Sequence, residues 1–144
     1  MFTGEYYHSV DTKGRVILPA KFRETLGNKF FLTKGFDGNL QIYSYDEWMK
    51  MYEKIKNLPT LVDRNSRALS RHLLGGCVEC EVDKQGRILI PASLRISAKI
   101  DKDVAILGNG DKVEIWGLEA WNEYNEQLDT DAITQNICNL GILI

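Results

Sequence analysis

The chain has 144 residues, 44% hydrophobic and 26% charged, with 18 Lys and Arg against 20 Asp and Glu and a formal net charge of −2. That length fits one compact domain with its own core, or two very small ones, and the balance argues against a disordered chain. A negative total also argues, on its face, against a nucleic-acid partner, because such domains usually carry a basic footprint.

Taken in chain order, the first segment, Glu5–Val10, is rich in aromatic and β-branched residues and predicts a strand. Asp11-Thr12-Lys13-Gly14 is a turn, with Asp at its first position and Gly where a positive φ is needed. Arg15–Leu18 then returns as a strand, so the two runs are predicted to form a hairpin. Pro19 marks a helix start, Ala20 to Leu26 make a short helix, and Gly27 ends it. Phe30–Thr33 and Leu40–Tyr43 read as a second strand pair around the loop Gly35–Asn39. Tyr45–Ile55 is an amphipathic helix with Trp48, Met51, Tyr52 and Ile55 on one face. Asp63 or Asn65 starts another helix, which carries Leu69, Leu73 and Leu74 and ends at Gly75-Gly76.

From there the pattern repeats. Residues 80–98 lie over residues 8–26 with seven identities in nineteen places: Val10/Val82, Asp11/Asp83, Gly14/Gly86, Arg15/Arg87, Pro19/Pro91, Ala20/Ala92 and Arg23/Arg95. About one match is expected by chance. After one inserted residue, Leu40–Tyr43 lies over Val113–Trp116 and Trp48 over Trp121. Val104–Leu107 and Val113–Trp116 are the second copy's later strands, and Leu118–Leu128 is its following helix, with Trp121, Tyr124 and Leu128. A unit of about 45 residues buries little by itself. Two units in one chain therefore predict that each completes the other's core, as an intertwined, pseudo-two-fold β-barrel.

Position changes the meaning of the net charge. Residues 9–34 carry six bases and two acids, whereas residues 117–144 carry five acids and no Lys or Arg. The first repeat is thus locally cationic, and each copy keeps an Arg after its turn Gly. Arg64, Arg67 and Arg71 also share a helical face. Taken alone, such arginines are explained as well by solvation or by an Asp-x-x-x-Arg salt bridge that locks the turn. Three cysteines in a chain without a secretion signal predict reduced thiols. Cys77 and Cys80 have CxxC spacing, but a strand would point them to opposite faces, and four paired zinc ligands are lacking. Neither metal nor cofactor is expected. No nucleophile–base pair or phosphate loop points to an enzyme. The longest apolar runs, Val16–Leu18 and Ile88–Ile90, are far too short to span a bilayer, so no membrane partner is expected.

The doubled motif Val-Asp-x-x-Gly-Arg-[Val/Ile]-x-[Leu/Ile]-Pro-Ala-x-[Phe/Leu]-Arg resembles the SpoVT/AbrB DNA-binding hairpin. Two copies in one short chain, with the intervening Asp63–Gly76 segment and the later Glu114-Ile115-Trp116, resemble the MraZ family of bacterial regulators over about residues 1–128. The resemblance implies an α+β fold: a pseudo-two-fold swapped-hairpin β-barrel of double-psi or AbrB type, built from the two tandem repeats with helices after each. The implied divisions are repeat one at 5–47, a helical spacer at 48–75, repeat two at 76–119, and a C-terminal helix and tail at 120–144. It implies a cytoplasmic, nucleoid-associated transcription factor, acting as a ring-shaped homo-oligomer, with an octamer the expected ring. Its implied partner is double-stranded DNA: short direct repeats in the promoter of the division and cell-wall gene cluster, which includes its own gene.

Carried over by position, Arg15 and Arg87 are the foremost DNA-contact candidates, supported by Lys13, Lys84, Lys21 and Arg23. Asp11, Asp83, Gly14 and Gly86 are expected to shape the turns. The second copy has Ser93 where the first has Lys21, and Gln85 where the first has Lys13, so the first copy is expected to carry more of the affinity. The rival reading is a homotypic or protein-interaction module of the same fold that does not bind DNA, which would suit the acidic total. The stretch 129–144 ends in an apolar run, for which packing against a neighbouring chain is the reading that suggests itself.

Overall fold

The computed structural model describes residues 1–144. The first copy supplies strands β1 (Glu5–Ser9), β2 (Arg15–Ile17), β3 (Phe30–Lys34) and β4 (Leu40–Ser44), with helix α1 (Ala20–Leu26) after β2 and α2 (Tyr45–Lys56) after β4. The spacer holds α3 (Arg64–Ser70), which continues into a π-helical turn over Arg71–Gly75. The second copy supplies β5 (Val78–Cys80), β6 (Arg87–Leu89), α4 (Ala92–Ser97), β7 (Asp103–Asn109), β8 (Lys112–Gly117) and α5 (Leu118–Glu126). A last helix, α6 (Thr130–Asn139), follows. None of the helices is long and apolar enough to cross a membrane.

Six strands form one antiparallel sheet in the order β1-β7-β8-β4-β3-β5, while β2 and β6 form a separate two-stranded ribbon. The predicted hairpin of Glu5–Val10 with Arg15–Leu18 is therefore corrected. The chain does turn at Asp11–Gly14, but β1 pairs with β7 of the other copy and β2 pairs with β6. Likewise β5 pairs with β3. A three-residue strand such as β2 cannot hold a ladder alone, and the larger apolar area is buried by pairing across the copies.

Two registers show the symmetry. Val16 faces Ile88 in the ribbon, and Gln41 faces Glu114 at the β4–β8 pair. Each of these residues faces its own repeat equivalent, which places an approximate two-fold axis through both pairs. The strand ends are reciprocal as well: Leu18 N donates to the Gly86 carbonyl at 3.0 Å and Ile90 N to the Gly14 carbonyl at 2.8 Å. On the axis, the buried Glu114 carboxylate accepts from Asn39 Nδ2 (3.0 Å), Trp116 Nε1 (2.8 Å) and Asn109 Nδ2 (2.7 Å). Three donors offset the cost of removing this charge from water.

The core draws equally on both copies: Val16, Leu18, Phe22, Leu32 and Ile42 meet Ile88, Ile90, Leu94, Ile106 and Ile115. Pro19 caps α1 from outside the helix, with φ −52° and ψ 135°, rather than occupying its first turn, and Gly27 ends it at φ 77°. Ser44 caps α2, and Asp63, the first of the two candidates, caps α3 through its contact with Ser66 N.

The helices break the symmetry. Trp48 of α2 stacks on Phe31 and lies beside Tyr43, and α3 with its π-turn closes this cluster through the buried Leu73. Tyr52, assigned to the same face by spacing, is instead exposed. In the second copy, Trp121 and Tyr124 of α5 pack on Trp116 with ring centroids 4.9 Å apart, but no residue of α5 is buried. Leu128 falls beyond that helix and is exposed. Helix α6 also buries nothing, and Leu140, Ile142, Leu143 and Ile144 stand in solvent.

Phe22 joins the elements most directly. It is fully buried and meets Phe2 and Tyr6 edge-on at 5.7 and 5.3 Å. Phe22→Ala is expected to cost about 3–5 kcal/mol, read as a lower urea midpoint with an unchanged slope.

Candidate nucleic-acid interface

The two turns that precede β2 and β6 are built alike, atom for atom. Asp11 Oδ1 accepts from the backbone N–H groups of Lys13 and Arg15, each at 2.9 Å, and its Oδ2 accepts from Arg15 Nε at 2.8 Å. Asp83 does the same with Gln85 N, Arg87 N and Arg87 Nε, at 2.9, 2.9 and 2.8 Å. Gly14 and Gly86 close the turns at φ 87° and 80°, a region that only glycine enters freely. Arg87 Nη1 also lies 3.8 Å from Asp11 Oδ2, so the turns are joined across the axis.

This geometry has an electrostatic consequence. The Arg15 and Arg87 backbone N–H groups, and then their guanidinium groups, hold the Asp11 and Asp83 carboxyls below the usual carboxylate range. Each carboxylate takes the Nε edge of its arginine. No hydrogen bond ties down the Nη groups, although Arg87 Nη1 lies near Asp11, and Arg15 and Arg87 stay about a third and a quarter exposed. A guanidinium fixed in this way is an end-on fork suited to phosphate or to a base edge.

The other candidate residues divide in two. Lys13 and Lys84 stand exposed on the turns. Lys21 lies on α1, with Nζ 3.3 Å from Thr3 Oγ1. Arg23 sits behind the second copy's turn, where a Cβ on Gly86 would collide with its guanidinium, and its Nε is buried without a hydrogen-bond partner. Arg95 mirrors it: it lies against Gly14 and donates from Nη1 to the Ile90 carbonyl at 2.8 Å. The position of Arg23 is therefore that of a turn support as much as of an outward cation. Arg95 was missed by sequence reasoning, although the Arg23/Arg95 identity was its signal.

Elsewhere, Cys80 lies in the main core and Cys77 against the α2–α3 cluster. Burial pushes their thiols up to about 12 and about 11, so both are protonated at neutral pH and are poor metal ligands or nucleophiles.

Carboxyls held below their ordinary value stabilise the native state in full above that value, near 4, and lose the contribution as pH falls through the depressed one. An Asp11→Asn/Asp83→Asn variant is thus expected to melt below the parent at pH 7, with the gap closing below about pH 4. Melting curves from pH 7 to pH 2.5 check this.

The profile of the family described as "MraZ protein, putative antitoxin-like" matches residues 1–71 and 73–137. Proteins named "Transcriptional regulator MraZ" from Caldanaerobacter subterraneus subsp. tengcongensis, Thermoanaerobacter sp. (strain X514) and Thermoanaerobacter pseudethanolicus are 54%, 52% and 51% identical to the chain over 144 residues. Each alignment covers 99% of this chain and 100% of the relative. These names describe regulators and not enzymes. With the family profile spanning nearly the whole chain and relatives matching end to end, the chain belongs to the MraZ family.

Proposed function

We propose that this chain is a DNA-binding transcriptional regulator that recognises short direct repeats in the promoter of the division and cell-wall gene cluster, including its own gene. The observation that carries the reading is the doubled Asp-x-x-x-Arg turn. It brings two guanidinium forks, each held at Nε by its own aspartate, onto one ribbon. The names of the relatives support the regulatory half of the reading. Arg15 and Arg87 are the contacts proposed for DNA; Lys13, Lys84 and Lys21 add phosphate attraction, Arg23 adds charge from behind the turn, and Asp11, Asp83, Gly14 and Gly86 hold the turns. Cross-copy pairing supports reading residues 5–47 and 76–119 as two AbrB-type swapped hairpins joined by the spacer 48–75, with 120–144 appended.

The working form is a ring-shaped homo-oligomer, an octamer. A subunit with a net charge of −2 and few outward cations binds a polyanion weakly. A ring that presents the same ribbon repeatedly to repeated sites gains avidity without any new contact. The uncovered apolar residues Tyr124 of α5, Ile133 of α6 and Leu140 just after α6 support self-association. Such a regulator works in the cytoplasm, at the nucleoid. A protein-binding module without DNA affinity is the second reading, favoured by the acidic, apolar-tipped stretch 117–144.

Gel shifts on the chain's own promoter fragment at fixed salt separate the two readings. Arg15→Ala is expected to weaken binding at least about fivefold, since one bidentate base contact contributes about 1–3 kcal/mol, while the native mass and melting temperature stay close to the parent's. Arg15→Lys weakens it too, because the fork is lost. Parent binding falls steeply with added salt. Absence of any retention at low salt would leave the protein-binding module standing.

A further inference from the structure

The ribbon presents more than its arginines. Strand alternation turns Val16 and Ile88 into the core, each 1% exposed, so Arg15, Ile17, Arg87 and Leu89 face outward together. The register sets Arg15 opposite Leu89 and Ile17 opposite Arg87. The outer face is therefore a small square, with guanidinium groups on one diagonal and aliphatic side chains on the other. Ile17 is 44% exposed and Leu89 55%. Isolated exposed aliphatics are ordinary. These two stand at repeat-equivalent positions, on either side of the approximate two-fold axis and each opposite an arginine or beside one.

Resting on the DNA-binding reading above, we propose that Ile17 and Leu89 are specificity-determining residues that read thymine 5-methyl groups in the major groove beside the bases read by Arg15 and Arg87. The major groove admits a two-stranded β-ribbon, and among the four bases only thymine offers an apolar group there. Charge complementarity selects this occupant: Lys13 and Lys84 stand exposed on the turns beside the square, and each aspartate hydrogen-bonds its own arginine at Nε and not at Nη, with Arg87 Nη1 3.8 Å from Asp11 Oδ2. The spacing agrees. Residues i and i+2 on a strand are about 6.6 Å apart, close to two base-pair steps, and directly opposite Cβ atoms are about 5 Å apart. A guanine and a thymine are thus read within one or two steps of each other. The ribbon's central four side chains have near two-fold symmetry, whereas its flanks do not, since Lys13 and Lys21 correspond to Gln85 and Ser93 in the second copy.

The test starts with duplexes enriched by the full chain from a random-sequence pool at low salt. Each thymine of the enriched site is then replaced by deoxyuridine, which deletes only the methyl group. The expected result is a loss of about fourfold in affinity per methyl read, confined to one or two thymines beside a guanine. The Ile17→Ala/Leu89→Ala variant binds the thymine duplex more weakly and no longer distinguishes deoxyuridine. Enrichment with no methyl dependence, or equal dependence in parent and variant, overturns this proposal and leaves the DNA-binding reading intact. A variant that changes native mass while keeping the parent's methyl dependence overturns it as well, because the pair then belongs to a contact between copies of the chain. Enrichment of no duplex at all overturns both readings.

Discussion

Strands β2 and β6 are three residues long, and each has only the other as a ladder partner. A three-residue strand contributes almost nothing by itself, because ordering the backbone costs more than so few hydrogen bonds return. Here the pair is braced at both ends, by the Gly14 and Gly86 carbonyls that receive Ile90 N and Leu18 N, and by the Asp11 and Asp83 carboxylates that hold the turns. Its inner residues, Val16 and Ile88, seal the core beneath. Neither copy can form this ribbon by itself, so the fold of one repeat is conditional on a second copy to pair with.

The same bracing fixes the proposed binding surface. Each Asp-x-x-x-Arg turn spends its aspartate on two backbone N–H groups and one Nε, which orders the arginine before any ligand arrives. Pre-ordering matters because a free arginine side chain loses rotamer entropy on binding, roughly 2 kcal/mol in full. Arg23 and Arg95 complete the support by lying on the glycine of the opposite turn. That contact also explains why those positions are glycine: a Cβ would meet a guanidinium, and the φ is already unfavourable for other residues. The surface is thus a property of both repeats, and its charge is local. The acids of residues 117–144 lie on and after α5, while the ribbon keeps its cations on the turns.

Asymmetry enters through the helices. α2 is covered by α3 and the π-turn, where Thr33 Oγ1 donates to the Leu73 carbonyl at 2.6 Å, whereas α5 has no such lid. The two repeats share one barrel-like core and yet differ in what they leave uncovered. One half is finished inside the chain; the other ends in α5 and α6 with apolar residues in solvent, the feature on which the proposed self-association rests.

Much of this was legible in the amino-acid sequence because it rests on short-range chemistry. The repeat, the Asp-x-x-Gly turns, Pro19 with Gly27 around α1, a cap for α3 at Asp63 or Asn65 and the Trp48–Ile55 face of α2 each follow from local geometry. The roles of Asp11 and Asp83 were legible for the same reason, since their partners lie within four residues. Strand partners were not legible. Spacing put Glu5–Val10 against Arg15–Leu18, and only the folded chain sent β1 to β7 and β2 to β6. Local propensity specifies that a segment is extended and which face is apolar, but hydrogen-bond partners are chosen by the total area buried, a sum over residues far apart in the chain. For the same reason, Arg95 and the outward square of Arg15, Ile17, Arg87 and Leu89 came only with the tertiary structure: they exist as neighbours because residues about 72 positions apart in the sequence were brought onto one axis.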